Sequence, residues 1–472
     1  MKKIIGLLLL LLFFFPCFAE TIIYGNAKDY ANSTIIFYKY SDRITYQKEK
    51  LFELEIDANG DFYASTNIST TTYTFATFGV YYAYFYIQNN NKYELLLPRY
   101  VEKTQLDIFN PFFEAENIHL GIKNLKDSDL NYLIMDFDYY YERFLSYYIN
   151  SYKIITDSTN NDIKEFIYNI DEKYKNCDNK YFKQYLKFRI ASLDNLSTQS
   201  KNANAIALAY YAKSPVLYDN PAYMDLFNEI FDSYFDNILT RKEGPTLYAI
   251  INYGHSIKRL NAFLSQINYL QNTQLREMVI MKGLYDCFYN KNMSWLPLLL
   301  TLDSLNLSTK YQQHKLISQN IADDVISLKA NTYAPNFELH DTNNNNISLK
   351  DFRGKYVYLQ FANTNSIASQ KDLELIKKLF SQFNQDIIFI TILSDDDREK
   401  ALSFIKRNKY YWNFLFCSIT SQVISDYKII SYPNYFLINP DGTFNMSPAP
   451  SPTQKIEKKL LNLTNSDKTI NK

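Results

Sequence analysis

The rhythm of apolar and polar positions changes twice along this chain. From residue 20 to about 115, short runs rich in β-branched and aromatic residues ("STIIFYKYSD", "KLFELEIDANGDFYAS", "TYTFATFGVYYAYFYIQ", "KYELLLPRY") alternate with Asn, Gly and Asp clusters. That pattern predicts four or more strands in a small antiparallel sandwich. The stretch Asp57 to Phe62, "DANGDF", is a hairpin signal, because Asn59-Gly60 suits the positive φ of a tight turn. As a calcium loop it lacks the full ligand series and the closing Glu, so it reads as a plain turn.

From about 125 to 328 the period becomes helical. Leu130, Leu133, Ile134, Phe137, Tyr141, Phe144 and Tyr148 share one face, as do Ile163, Phe166, Ile167, Ile170 and Tyr174. Asn220 followed by Pro221 reads as an N-cap with proline at the first helical position. Further helices are predicted over 246–269, 273–290, 294–304 and 310–328. No fixed repeat length emerges, so an irregular helical domain is favoured over a solenoid. From about 329 strands and helices alternate. "YVYLQF" (Tyr356 to Phe361) and "DIIFITILSD" are buried strands. A helix with Leu373, Ile376, Phe380 and Phe383 on one face lies between them. Helices over 397–406 and near 421–426, a strand in "NYFLINPDG" with an Asp441-Gly442 turn, and a closing helix in "TQKIEKKLLNL" complete a mixed sheet covered by helices. The fold class is therefore multidomain α+β: a β-sandwich-like domain (20–120), an α-helical domain (121–328) and a C-terminal α/β domain (329–463), with a leader at 1–19 and a polar tail at 464–472.

The leader changes the picture of where the protein works. Lys2 and Lys3 precede an apolar run from Ile4 to Phe15, and Cys17 and Ala19 are small residues ahead of Glu20. The run is well short of the roughly 20 residues that cross a bilayer, so it reads as a secretory signal peptide. Lipidation at Cys17 is the alternative, which "FFPC" fits badly. No other run is long enough to span, so a mature chain without a membrane span is expected in the periplasm or cell envelope.

Composition removes other options. Lys+Arg and Asp+Glu each number 50, so no basic field invites nucleic acid. The 43 tyrosines go with abundant Asn, Lys and Ile and only 10 glycines, which points to compositional bias before any special interface. Of the four cysteines, Cys177, Cys287 and Cys417 lie beyond the leader, and none has a C-x-x-C or metal-ligand spacing. One bridge, Cys177 to Cys287, stays open beside the simpler reading of three buried thiols. No metal or cofactor is expected.

The C-terminal segment resembles a thioredoxin-like domain of the TlpA/ResA kind, in the wider group of alkyl hydroperoxide reductase and thiol-specific antioxidant proteins. Three landmarks carry the resemblance in order: "APNFEL" (Ala334 to Leu339), "ISLKDFRGKYVYLQF" and "YKIISYPNYFLINPDG". The last puts Pro433 at the family's cis-proline position. The upstream regions more loosely resemble large exported proteins ending in such a domain, a likeness that brings no known activity.

The departure lies at the centre. The family's W-C-x-x-C falls on Asn365-Ser366-Ile367-Ala368-Ser369. Thiol–disulfide exchange needs a thiolate. A helix N-terminus lowers a thiol's pKa by a few units, but serine forms no disulfide. No catalytic residue is therefore expected. A hydrolytic Ser366 has no base nearby, since His340 is the segment's only histidine and no G-x-S-x-G elbow is present. The serines read instead as helix starters, with Asn365 or Ser366 as N-cap and Ser369 with Asp372 adding to the first turn. In this family the residue before the cis-proline, here Tyr432, offers backbone groups to an extended peptide, and Tyr432 and Asn365 are the candidate peptide-binding residues. The expectation is a redox-inactive exported protein that binds a protein or peptide of the envelope. Two alternatives stand beside it: an oxidoreductase-related protein acting through a partner or an outlying cysteine such as Cys417, and an assembly component that uses its helical domain.

Overall fold

The computed structural model describes residues 20–470, apart from 105, 106, 108, 109, 111, 112, 124, 151–157, 198–202, 290, 291 and 420. The leader and Cys17 lie outside the described residues. The chain divides into two compact units. One takes in the chain up to Glu102 together with Ala115–Ile321; the other takes Lys103–Glu114 and the chain from Ala322 onward.

In the first unit two sheets pack around an aromatic core. Strands β1 (Thr21–Asn26), β4 (Asp61–Thr66), β7 (Lys92–Leu96) and β9 (Gly121–Ile122) form one, in the order β4-β1-β7-β9. Strands β2 (Thr34–Tyr40), β3 (Lys48–Glu55), β5 (Thr72–Phe78), β6 (Tyr81–Ile87) and β8 (Glu116–His119) form the other, in the order β3-β2-β5-β6-β8. Period-2 alternation sends Ile23, Phe37, Phe52, Leu54, Phe62, Phe85 and Leu95 into the space between them. The sandwich is not wholly antiparallel: β1 pairs parallel with β7, and β6 parallel with β8. Strand patterns carry no mark of their partner, and the chain crosses between sheets after β6. The tight turn expected at 57–62 forms, with Asp57 accepting from the N–H groups of Asn59 and Asp61 at 2.8 Å each and Gly60 at φ +88°. It is not a hairpin, however: β3 and β4 go to different sheets, with only an isolated Ile56–Phe62 bridge at the turn.

The helices pack onto this sandwich. Asn131 clasps the Tyr86 backbone on both sides, accepting from its N–H at 2.7 Å and donating to its C=O at 2.8 Å. Asn320 donates to Asp42 at 2.8 Å, and Asn228 to the Arg43 carbonyl at 2.7 Å. The face predicted for the first helix, Leu130–Asn150, is buried through Leu130, Leu133, Ile134, Phe137, Tyr141 and Tyr148. Asn220 caps Pro221–Ile230 by accepting from Tyr223 N–H. The single helix expected over 246–269 is broken. Gly244–Ala249 runs into a wider turn at Ile250–Gly254, His255 adopts φ +45°, and Ser256 caps a new helix, Ile257–Leu264. Gly-His-Ser supplies an end and a start in three residues, which the apolar period hides. The later helices run Thr273–Tyr289, Trp295–Ser308 and Gln312–Ile326.

The second unit is a seven-stranded mixed sheet. Its strands are β10 (Glu338–Asp341), β11 (Asn346–Ser348), β12 (Tyr356–Ala362), β13 (Ile387–Leu393), β14 (Asn413–Phe416), β15 (Asn434–Ile438) and β16 (Phe444–Met446), in the order β11-β10-β14-β13-β12-β15-β16. β12, β13 and β14 run parallel, and β15 returns antiparallel beside β12. β12 lies inside the sheet, between β13 and β15, and is buried on both faces. Val357, Leu359 and Phe361 enter a core with Phe337, Ile392, Tyr427 and Phe436. Tyr358 and Ala362 enter the opposite one, with Leu373, Ile376 and Phe383 of the helix Ile367–Phe383 and with Leu460 of the closing helix. That closing helix, Glu457–Ile470, runs on through the segment expected as a polar tail; Thr464 is buried and hydrogen-bonds back to the Leu461 carbonyl. No helix among the described residues is long and apolar enough to cross a membrane.

Candidate functional site

Three parallel strands end at one edge of the sheet, and the following residues form a layer there. Ala362, Leu393 and Phe416 are in register across β12, β13 and β14. Asn363, Ser394 and Cys417 come next on each strand. In an open α/β sheet this carboxyl edge is where ligands meet the fold.

Local hydrogen bonds dictate the turn from β12 into its helix. Asn363 donates to the Ser394 carbonyl at 2.7 Å and accepts from Asn365 N–H at 2.9 Å. Thr364 N–H donates to both carboxylate oxygens of Asp395 at 3.0 Å, and its hydroxyl to one of them. Burial pushes the Asp395 carboxyl up, against the pull of those Thr364 bonds. Ser366 is the N-cap: its backbone is extended and its Oγ accepts from Ser369 N–H at 3.3 Å. Ser369, fully buried, accepts from Asn363 N–H at 3.4 Å. Both serines thus hold the helix start from opposite sides. Asn365 turns outward and accepts from Lys400 at 3.1 Å.

Asp372 takes no part in the cap, contrary to its expected role. One turn into the helix it points at the sheet, where its Oδ2 accepts from Tyr435 at 2.6 Å. A chain of buried polar groups follows: Gln360 donates to Tyr435 Oη at 3.0 Å, Thr391 to Gln360 at 2.9 Å, and Trp412 to Thr391 at 2.9 Å. Burial raises the Asp372 carboxyl, with the Tyr435 bond pulling the other way.

Across from the serines, the Tyr432–Pro433 peptide is cis. Ser366 Oγ reaches the Tyr432 carbonyl at 3.5 Å, while Tyr432 N–H has no partner among the described residues. The Tyr432 hydroxyl is pushed up to about 12 by burial. Ile367, next to Ser366 in the chain, and Ile430, two residues before Tyr432, are exposed at 70% and 73%. Cys417 is partly buried beside Tyr432, and burial pushes its thiol up to about 12. Cys177, Cys287 and Cys417 are all free thiols, so the bridge left open between the first two is not formed. His340 stands exposed on β10, opposite Phe416 and three strands from β12, so it does not serve Ser366 as a base. No cluster of three or more His, Cys, Asp and Glu suited to a metal occurs among the described residues.

The structure therefore brings together Ser366, Ser369 and Tyr432, with Asn365 at the rim. Sequence reasoning missed Thr364, Asp395 and Tyr435. The one available signal was the acidic run after β13, where a strand ends at the same edge.

The profile of the AhpC/TSA family matches residues 330–446. The thiol-disulfide oxidoreductase ResA of Bacillus thuringiensis subsp. konkukian is 32% identical over 111 residues, covering 23% of this chain and 63% of that protein. Its namesake in Bacillus subtilis is 30% identical over 118 residues, covering 25% and 65%. The C-terminal segment is a thioredoxin-like domain. Among solved structures, the thioredoxin domain of a thiol-disulfide oxidoreductase from Bacteroides vulgatus is 24% identical, with TM-score 0.27, covering 28% of this chain and 99% of that one. A thiol-disulfide oxidoreductase from Bacteroides fragilis is 22% identical, with TM-score 0.26, covering 28% and 99%. The chain spans about 63% of the length of the first curated relatives it matches, and the residues matched by the family profile lie wholly within the thioredoxin-like domain. That domain is related to thiol-disulfide oxidoreductases.

Proposed function

We propose that the thioredoxin-like domain has given up thiol–disulfide exchange and serves to hold an extended segment of another protein in the cell envelope. The observation that carries this reading is the state of the two serines. Ser366 is committed to capping the helix and Ser369 is buried against Asn363, where the resemblance puts the reactive cysteines. Exchange begins with a thiolate attacking a disulfide sulfur to give a mixed disulfide. A serine hydroxyl ionises far above neutral pH and its oxygen cannot take part. Cys417 does not replace them, because burial keeps its thiol protonated near pH 7.

Binding is supported by what stays available at the same edge. Tyr432 N–H is unused among the described residues, and Ile367 and Ile430 offer apolar surface beside it. An extended peptide can pair with such a backbone by strand addition while its side chains rest on the isoleucines. Export rests on the N-terminal pattern of two lysines, an apolar run too short to span, and small residues before Glu20.

An insulin-reduction assay with dithiothreitol tests the first half. The expected result is turnover no faster than the buffer, and turnover above it overturns the redox-inactive reading. The double variant Ser366→Cys, Ser369→Cys should gain reductase activity on the same scaffold. A photo-crosslinking residue in place of Ile430 tests the second half in native envelopes. A discrete cross-linked protein, lost when Tyr432 is replaced by proline to remove its N–H, is expected. No adduct at all overturns the binding reading.

A further inference from the structure

Beyond Pro433 the same domain holds a cleft of about 450 Å³, lined by Ala368, Lys371 and Asp372 of the helix, Pro433, Asn434 and Tyr435, and the segment from Pro448 to Gln454. Its far wall is tied down. Tyr358 donates to the Pro450 carbonyl at 2.8 Å, Ala449 N–H to the Tyr435 carbonyl at 2.8 Å, and Ser451 and Gln454 form a reciprocal cap. The volume lies in the range of small-ligand sites.

The cleft has one charged group deep in its wall. Asp372 is only 6% exposed; its Oδ2 accepts from Tyr435, and its Oδ1 has no partner among the described residues. Buried carboxylates in folded proteins are paired, because an unpaired one costs several kcal/mol in lost hydration. Here half of the pairing is supplied from within and half faces the cleft. Pro433, Pro448 and Ala368 offer apolar walls to a methylene stem, while Asn434, Ser451, Thr453 and Gln454 offer neutral polar groups. An anionic group would meet Asp372 head-on. Lys371, the one cation of the lining, is exposed at the rim.

We propose that this cleft is the subsite for a basic side chain, with the guanidinium or ammonium head paired to Asp372 and the stem between the two prolines. The proposal rests on the peptide-holding reading above and names the chemistry of the segment it holds. The groups facing Asp372 are Tyr435 on β15, Tyr358 on β12 and Lys371 on its own helix; both tyrosines are raised by burial and stay protonated through neutral pH. Burial also raises Asp372, so a bound cation favours the ionised carboxylate and releases a proton. Binding therefore tightens as pH rises through the Asp372 titration.

Calorimetry on the full chain with paired probes is the test: N-acetyl-arginine amide against N-acetyl-citrulline amide, and the capped pentapeptide Ser-Val-Xaa-Val-Ser with arginine or citrulline at Xaa. The expected result is arginine binding at least about tenfold tighter than citrulline in both pairs, the margin of a charge-assisted bond, shrinking as pH falls through the Asp372 titration and vanishing in Asp372→Asn. The wild-type comparison needs no variant, so a folding defect cannot mask it. Pentapeptides that bind equally overturn the basic subsite and leave peptide holding intact. A selective amide probe with no gain from the pentapeptide keeps the subsite and overturns the peptide carrier. No binding by any probe overturns both.

Discussion

Ser366 and Asp372 sit on the same helix, and their environments set opposite kinds of sensitivity. Ser366 is half-exposed and holds a free N–H of the first turn. Ser366→Ala removes that cap at a cost of about 1 kcal/mol. Amide hydrogen exchange at Ile367 to Gln370 should then accelerate roughly fivefold, with the β12 core unchanged, because local opening samples the cap first. Equal rates in both proteins would mean the hydroxyl is idle. Asp372 is governed by burial, and its pKa in the folded state is raised above the ordinary carboxylate value of about 3.9. A raised acid contributes its stability fully below that ordinary value and loses it as pH climbs through the folded pKa. Asp372→Asn, which can still accept from Tyr435, should therefore match wild type near pH 3 and be the more stable protein at pH 7. Urea midpoints followed through Trp412 would show it. The two residues also mark what sequence could reveal. A hydroxyl before an apolar helical run announces a cap by spacing alone. Asp372 has the same spacing credentials, yet it is claimed by Tyr435, a residue 63 positions away that only the folded sheet brings near.

At the scale of the elements, β12 explains why this edge is rigid. Gln360 is paired in register with Thr391 on β13 and with Tyr435 on β15, and its side chain bonds to both of theirs. The buried chain from Trp412 to Asp372 thus crosses the middle of the sheet on one face. Gln360→Leu keeps the size and removes both bonds, leaving buried hydroxyl groups short of a partner. The expected loss is about 1–3 kcal/mol. It should appear as a lower urea midpoint together with altered Trp412 emission, since the Thr391 that accepts the indole N–H loses its own acceptor. An unchanged midpoint would mean water replaces the amide. The strands themselves were legible because β12 and β13 are short apolar runs bounded by polar turns. The helix over 246–269 was misread for the converse reason: its apolar period continues across Gly254-His255-Ser256, where backbone conformation breaks it.

The whole molecule has two compact units, and each carries one tryptophan: Trp295 lies in the first and Trp412 in the second. Their acid responses should separate. In the first unit His314, fully buried, pairs through Nδ1 with Glu277 at 2.6 Å and through Nε2 with the Tyr218 hydroxyl at 2.7 Å, and Thr309 donates to the same Glu277 oxygen at 2.6 Å. Burial alone would raise the Glu277 carboxyl, but the bonds from His314 and Thr309 outweigh it and hold it below its ordinary value. A depressed acid contributes stability above its unfolded pKa of about 4.3, and that stability drains away as pH falls through the folded value. The buried carboxyl of the second unit, Asp372, has the opposite sign. On acidification, fluorescence of Trp412→Phe, which reports the first unit, should change before that of Trp295→Phe, which reports the second. Glu277→Gln should lower the first unit's urea midpoint at pH 7 and flatten its dependence on pH as the pH falls below the ordinary carboxylate value of about 4.3. Coincident acid transitions in the two tryptophan variants would mean that the units unfold as one, and an unflattened profile in Glu277→Gln would move the acid sensitivity to another carboxylate of that unit.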